Sequence, residues 1–493
     1  MQPTRFFSSS SVCHLAELSL GDVPACSRAP RSRLFAKTRK FVLFLALAAT
    51  LLTGGRASPA DAQPDLPSRG PVAWRDIQVG GFFSQGFLAS SANNYLGETS
   101  HGTFDFREYA LNASYAVGRW RVGAQAFGQK LGDYGDDRIN LDWAMVDYQA
   151  AQWLGFRAGR VKMPRGLYNE ALDLDSVRPF VLLPQSIYDN RLRDFNASFD
   201  GVMIYGNFGL KRFGSLDYTL YGGDTPIKAD SGASDFFNTD SPFKNLSIGI
   251  GALGGGTLFW NTPIHGLRAG YSHTTYRKLT AFRHIVIPAI SLDEVTAKTA
   301  PALEHNQLSI EYVRGNWTLA AEAAHEHAVY AVGKSGEFFI EDKADLFYAS
   351  AARRINRWLE LGSYYSVSRE YYRHDTPGKV IIPPLLAQND FALSARFDLN
   401  EHVVFKLESH SLKGTGKIFN TASQPNPASS LDPSWTMIAA KVTFSFYPAQ
   451  NLTVKTIFFG LVLGWLRWSS VAPLHADPAL VCHPRLEASS LHD

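Results

Sequence analysis

The charged side chains best placed to act on a solute are concentrated between residues 163 and 197, with two more just before them. Facing positive and negative groups in a narrow passage select ions by their field and need no covalent step. The candidate residues are Arg160, Lys162, Arg165, Asp173, Asp175, Arg178, Asp189, Arg191, Arg193 and Asp194. An apolar run, residues 179–184, lies among these charges. Since a solvated loop rarely carries such a run, we expect the segment to fold back and pack on a wall; the alternatives are packing against neighbouring loops or a subunit contact.

Catalytic and metal-binding patterns are weak in this chain. His325 and His327 fall on one face of a strand and could share a metal ion, but the spacing supplies no third ligand. Two histidines near the rim of a strand are the simpler interpretation. The chain has no G-x-S-x-G, P-loop or H-E-x-x-H pattern. We therefore expect no enzyme, no catalytic residue, no metal and no cofactor.

Alternating apolar and polar residues along most of the chain predict β-strands. Near the end, Ile438, Val442 and Phe444 share one face, and Lys441 and Thr443 share the other. The sixteen predicted segments are 77–89, 106–117, 120–131, 139–150, 154–162, 198–206, 214–223, 255–261, 267–277, 307–313, 317–329, 344–354, 358–371, 390–399, 402–412 and 435–446.

The connections between these segments alternate in length. The short ones are 118–119, 152–153, 210–213, 262–266, 315–316, 355–357 and 400–401. The long ones are 90–105, 132–138, 163–197, 224–254, 278–306, 330–343, 372–389 and 413–434. Outer-membrane barrels have short periplasmic turns and long outer loops. The pattern predicts an all-β fold, a sixteen-stranded antiparallel transmembrane β-barrel with its third outer loop folded inward.

Both ends of the chain differ from this body. The start of the chain predicts a signal peptide that is cleaved after Ala62, because basic residues precede an apolar stretch at 41–52 and Ala60-Asp61-Ala62 follows it. The alternative is a membrane anchor. The apolar stretch is, however, shorter than the roughly 20 residues that a spanning helix needs. We expect residues 1–62 to be a signal region with an over-extended start and 63–446 to be the barrel. Residues 447–493 are interpreted as a non-barrel extension from a fused downstream reading frame, or as an interfacial helix.

Composition supports an exported membrane protein. The formal net charge of +3 gives no reason to expect a nucleic-acid partner. The three cysteines, Cys13, Cys26 and Cys482, all lie outside residues 63–446, which excludes disulfide and thiolate chemistry in the body. Trp120, Trp317 and Trp358 follow short turns, where aromatic rings favour the membrane boundary.

The octapeptide at 159–166, G-R-V-K-M-P-R-G, resembles the G-[RQ]-x-K-x-P-x-G signature of the phosphate-selective porin family. The resemblance implies a homotrimer of sixteen-stranded channels in the bacterial outer membrane. The chain departs from the family over 172–188, and its inward-facing charges are mixed, so we do not carry phosphate selectivity over. These mixed lumen candidates are Arg121, Asp142, Arg157, Asp217, Arg268, Glu311, Glu322, Glu360, Arg396, Asp398, Lys406, Glu408 and Lys441.

Together these features predict an outer-membrane porin, in which small hydrophilic solutes and ions diffuse through a water-filled pore surrounded by outer-membrane lipid. Sixteen strands leave an aqueous lumen unless it is plugged. The alternative is a barrel with a closed lumen and an enzymatic, structural or adhesive role. The sign of any ion selectivity stays open at this point.

Overall fold

The computed structural model describes residues 77–227, 231, 233, 243–287, 292–333, 338–374, 380–381, 387–418 and 431–446. They belong to a compact unit that spans Asp65–Asp493. The predicted signal region, its cleavage site, the extension at 447–493 and all three cysteines lie outside the described residues.

The described residues form β-strands joined by turns and short helical pieces. The strands are β1 (Gln78–Ser90), β2 (Phe106–Val117), β3 (Trp120–Leu131), β4 (Asn140–Ala151), β5 (Leu154–Lys162), β6 (Ser198–Gly209), β7 (Ser215–Asp224), β8 (Phe243–Gly249), β9 (Ala252–Asn261), β10 (Leu267–Ile287), β11 (Leu292–Arg314), β12 (Trp317–Gly333), β13 (Phe338–Arg354), β14 (Leu359–His374), β15 (Val380–Ile381), β16 (Ala387–Asp398), β17 (Val403–Gly414) and β18 (Ser434–Phe446). No helix among these residues is long and apolar enough to cross a membrane.

Sixteen of these strands form a closed antiparallel barrel. Each pairs with its neighbours in chain order, and β1 closes the ring by pairing with both β2 and β18. Gly81 lies opposite Leu111 on one side and Phe446 on the other. The two remaining strands, β8 and β15, are short additions beside β10 and β14. The predicted all-β fold and its closed barrel of sixteen antiparallel strands are confirmed, since every predicted segment overlaps one strand of the barrel.

Some predicted loops are wrong, because the strands around them continue. Most of the connection predicted at 278–306 is strand. β10 continues to Ile287, β11 begins at Leu292, and the two pair from Leu279↔Ala300 to Ile287↔Leu292. The connection predicted at 330–343 is likewise shortened by β12 and β13. Each face of these extensions mixes polar and apolar residues; Thr280 and Phe282, for example, share one face of β10. The alternation that marks a half-buried strand therefore fades before the strand ends.

The two faces of the barrel wall have opposite character. On β18, Ile438 is 56% exposed, whereas Lys441 and Thr443 on the other face are each 1% exposed. On β16, Leu393 is exposed while Ser394 and Arg396 are buried. Apolar side chains thus cover the outside, and polar side chains cover the inside, together with buried apolar clusters. A protein that folds in water has the reverse arrangement.

Candidate functional site

The segment at 163–197, which joins β5 to β6, begins with a turn that the sequence encodes locally. β5 ends at Lys162, and Pro164 follows, a residue that cannot donate to the ladder of a sheet. Gly166 has a φ of +59°, and a Cβ built there would lie 2.1 Å from Nε2 of Gln307. Only glycine fits this left-handed and crowded position.

Side chains from the inner face of distant strands hold this first turn. The amide of Gly166 donates to Oγ of Ser272 on β10 at 3.0 Å, and the amide of Leu167 donates to Oε1 of Glu322 on β12 at 2.9 Å. Glu322 also accepts hydrogen bonds from the hydroxyls of Tyr188 and Tyr348. A carboxylate bound by several donors makes a firm anchor for the backbone of the segment.

A second anchor holds the apolar middle of the segment. Glu408 on β17 accepts hydrogen bonds from the amides of Val181 and Leu182, at 2.9 and 3.0 Å. The Phe180 ring packs edge-on against Tyr364 with centroids 5.0 Å apart. Residues 163–197 therefore pack against the buried face of β10 to β18, on strands far from β5 and β6 in the sheet order.

Five side chains at the β3–β5 side of the segment form what we call the paired cluster. They are Gln125, Asp142, Lys162, Asp173 and Arg193. Lys162 lies 2.6 Å from Asp142, Arg193 lies 2.5 Å from Asp142, and both cations also pair with Asp173. The amide of Gln125 donates to both carboxylates at 2.9 Å. Two cations thus meet two carboxylates, and the cluster is balanced.

The Asp173 carboxyl is held in its charged form. Burial raises its pKa, but the positive charges of Arg193 and Lys162 outweigh burial and hold the pKa well below its usual range. The Arg193 guanidinium also lies over the Phe127 ring, 3.8 Å from its centroid. The ring contact fixes the position of the Arg193 guanidinium, which keeps its positive charge beside Asp173.

A second set of charges, which we call the cationic cluster, lies at the β17–β18 side. It comprises Glu108, Asp175, Arg178, Lys406 and Lys441. Asp175 is 3.1 Å from Lys406, 3.3 Å from Lys441 and 3.5 Å from Arg178. Lys441 also pairs with Glu108. Three basic side chains therefore share two carboxylates.

Asp175 is the centre of the cationic cluster. Burial raises its pKa, but Lys406, Lys441 and Arg178 together hold the pKa well below its usual range. The Thr443 hydroxyl donates to its second oxygen at 2.7 Å. Arg178 is less well satisfied, because its Nε and Nη1 are buried and have no hydrogen-bond partner.

The other predicted residues within the segment occupy separate positions. Asp189 and Arg191 pair with each other at 2.6 Å, and Arg191 also donates to the carbonyl of Lys417. Arg165 donates to Oδ1 of Asn196 at 3.0 Å. Asp194 is exposed and borders a cavity of about 70 Å³ beside Arg193. The structure thus divides the predicted set among several local networks.

Arg160 forms its ion pair outside both clusters, although it borders the cavity that Asp142 and Arg193 also line. It pairs with Asp200 on β6 at 3.2 Å. Strand register places this pair on the face that also carries Phe156 and Val202, and Val202 is 60% exposed. Lys162, two residues later at the end of β5, nevertheless reaches the paired cluster. The octapeptide carries three cations. Lys162 joins the paired cluster, Arg160 forms an ion pair between neighbouring strands, and Arg165 binds Asn196 within the segment.

Several partners could not be identified as site residues from sequence. Glu108, Gln125 and Thr443 complete the clusters, whereas Glu322 and Glu408, which the sequence predicts only as lumen residues, anchor the backbone. The usable signal is a polar residue at an inward position of an alternating strand, as for Lys406 and Glu408. That signal shows which face of the strand a residue occupies. It cannot show that Glu408 lies close to Val181, more than 200 positions away, because closure of the barrel brings the two together.

The two histidines considered for metal binding each have their own carboxylate. His325 lies 2.8 Å from Asp345, and His327 lies 3.2 Å from Glu341. Within the part of the chain that the structure describes, no group of three or more His, Cys, Asp or Glu side chains is arranged to hold a metal ion.

Comparison with known proteins yields only distant structural likenesses. No protein-family model matches the chain, and no curated protein matches it. Its structure is similar to the outer-membrane-expressed OmpT of Vibrio cholerae, with 9% identity, a TM-score of 0.47, and coverage of 78% of this chain and 100% of that one. It is also similar to Salmonella typhi OmpF in a complex with daunomycin, with 10% identity, a TM-score of 0.48, and coverage of 76% and 99%.

A third similar structure is that of the outer-membrane channel DcaP of Acinetobacter baumannii, with 10% identity, a TM-score of 0.44, and coverage of 75% of this chain and 97% of that chain. The assignment of the fold therefore rests on the strand pairing of the chain itself.

Proposed function

We propose that the chain is a porin of the bacterial outer membrane, through which small hydrophilic solutes and ions diffuse passively. The observation that carries this proposal is the inverted wall of the closed barrel. Its outside is apolar and exposed, as lipid requires, and its inside carries buried charges such as Lys441 and Arg396. Sixteen strands enclose more space than wall side chains alone can fill.

Residues 163–197 are proposed to lie inside the barrel and to narrow the pore. Support comes from their bonds to Glu322 on β12 and Glu408 on β17, two strands that lie four barrel strands apart. In a closed barrel, one segment between β5 and β6 reaches the buried faces of both strands only through the interior. The paired and cationic clusters then border the passage, and their field sets the preference between anions and cations.

Exposed aromatic residues support the proposed orientation in the membrane. Trp120, Trp153 and Trp358, at or beside short turns, are each about half exposed, and Trp153 stacks on Phe208 with centroids 6.4 Å apart. Amphipathic rings favour the boundary between hydrocarbon and water. We propose that this end of the barrel faces the periplasm and that the segment lies nearer the outer side.

The test is the single-channel conductance of the full chain in a planar bilayer, with the reversal potential measured in a salt gradient. We expect stable ohmic steps. Folding is checked independently by heat-modifiable gel mobility. A folded protein that gives no steps would overturn the diffusion-channel proposal and favour a barrel with a closed lumen.

Assembly as a homotrimer is also proposed, from the resemblance of the octapeptide at 159–166. Mass measurement of the detergent-extracted protein without heating tests it directly. A mass of one chain would contradict the trimer and leave the diffusion proposal intact.

A further inference from the structure

Arg178 differs from every other basic residue of the two clusters in its bonding. Its side chain is only 4% exposed, yet its one carboxylate contact is 3.5 Å long. Nε and Nη1 together carry three N–H groups, and none has a hydrogen-bond partner. A buried, unsatisfied donor is costly, and more so on a charged group. A ligand with acceptor oxygens would remove that cost.

The surrounding groups cannot supply the missing acceptor, because their own bonds occupy them. Asp175 is shared among three cations and Thr443. Glu408 is bound by two backbone amides and lies 3.0 Å from His410. Asp398 pairs with Arg396 and with Arg354.

Basic groups predominate around Arg178. Lys406 and Lys441 both lie within 3.3 Å of Asp175, and Nη1 of Arg396 donates to the carbonyl of Arg178 at 3.3 Å. The turn that carries Arg178 borders solvent, because the preceding residue, Val177, is 62% exposed. The unsatisfied guanidinium of Arg178 is therefore one residue away from a solvent-exposed position.

We propose that Arg178 and its cationic cluster form a binding site for a small carboxylate anion on the solute path. A carboxylate provides two coplanar oxygens and a single negative charge, which suits the planar guanidinium. A more highly charged anion would be repelled by Asp175, whose carboxylate touches the same guanidinium. This inference rests on the proposed porin function and names the class of solute that the site favours.

The experiment uses the full chain and acetate as the probe, with two readouts. Acetate binding to the detergent-folded protein is measured by saturation-transfer NMR, which does not depend on conduction. In planar bilayers, chloride is replaced stepwise by acetate at constant ionic strength, and the single-channel current is followed to saturation. In the wild type we expect binding by the first readout and saturation by the second.

The Arg178→Gln variant should bind acetate about tenfold more weakly, since a hydrogen bond to a charged group is lost. Arg178→Lys keeps the charge but lacks the planar fork, and should bind with intermediate strength. Arg212→Gln is the matched control, because it removes the same charge from an exposed position in the short turn between β6 and β7 and should bind as the wild type does.

Equal acetate binding by the wild type and a folded Arg178→Gln variant would overturn the site. Tighter binding of inorganic phosphate than of acetate would overturn the carboxylate class. Acetate binding without any channel steps would instead overturn the porin function and leave the site standing. Channel steps without acetate saturation or binding would overturn the site alone.

Discussion

The paired cluster and the cationic cluster use the same residue types on the same segment, yet they differ in how completely their charges are satisfied. In the paired cluster, Lys162 and Arg193 each contact both carboxylates. In the cationic cluster, three basic groups share two acids, and Arg178 keeps unpaired donors. A charge that is fully paired holds the segment in place, whereas one that is incompletely paired is available to a solute.

The largest difference between the two clusters is expected in the free energy of unfolding when one arginine is removed from each. Arg193→Gln leaves Asp142 and Asp173 with one cation, Lys162, and the amide of Gln125, and breaking a buried pair costs about 3–5 kcal/mol. Arg178→Gln should lower the free energy of unfolding much less, because that side chain makes one long contact. Urea titration followed by gel mobility checks this. Equal destabilisation by the two variants would remove the distinction between the clusters.

The backbone anchors offer a second and smaller test. The Glu408 carboxylate accepts hydrogen bonds from two backbone amides. Glu408→Gln puts in its place a neutral side chain with one acceptor oxygen, which should lower the free energy of unfolding by about 1.5–3 kcal/mol. We expect the apolar run to loosen and the open-channel current to become noisier. Glu322→Gln is the matched variant at the other anchor and should loosen the first turn instead. Unchanged noise in both would show that the anchors do not fix the aperture.

Acidification should have little effect over a wide range. Asp173 and Asp175 have pKa values below their usual range, so the stability they contribute is complete above the unfolded value of about 4 and declines as pH falls towards the folded values. Protonation of these two carboxylates should therefore not change the reversal potential between about pH 7 and pH 5. A change of its sign within that window would show that other groups determine the field.

The smallest effect is expected at Arg160. Its partner Asp200 has a side chain that is 51% exposed, and exposed ion pairs contribute about 0–1 kcal/mol. Arg160→Gln should leave the reversal potential and acetate saturation unchanged, in contrast to Arg178→Gln. A shift as large as that of Arg178→Gln would place Arg160 on the solute path.

The fold was predictable because alternation is a property of neighbouring residues. One apolar and one polar face along β16, β17 and β18 can be recognised without knowing what lies opposite. The strand extensions of β10 to β13 were not predictable, since each of their faces mixes polar and apolar residues. The same limit applies to Arg160, whose type suggests a lumen position but whose strand parity places it beside Val202.

The candidate site was predictable only as a set of charges. Their concentration between residues 163 and 197 predicts the segment, and its apolar run packs on strands of the wall. The division into a balanced and an unbalanced cluster depends on Asp142, Lys406 and Lys441, which come from β4, β17 and β18. Only closure of the barrel brings these strands to the same segment.

The pairing of β1 with β18 also has a consequence for how the chain reaches its native state. The first and last strands of the barrel are neighbours, so the ring cannot close before Phe446 is available. Both anchors of the segment, on β12 and β17, are likewise formed late in the order of synthesis. Contacts so distant along the chain slow folding, because a large loop entropy must be overcome before they form. We therefore expect assembly to begin from local hairpins and to end with the seam, long after the segment itself has been made.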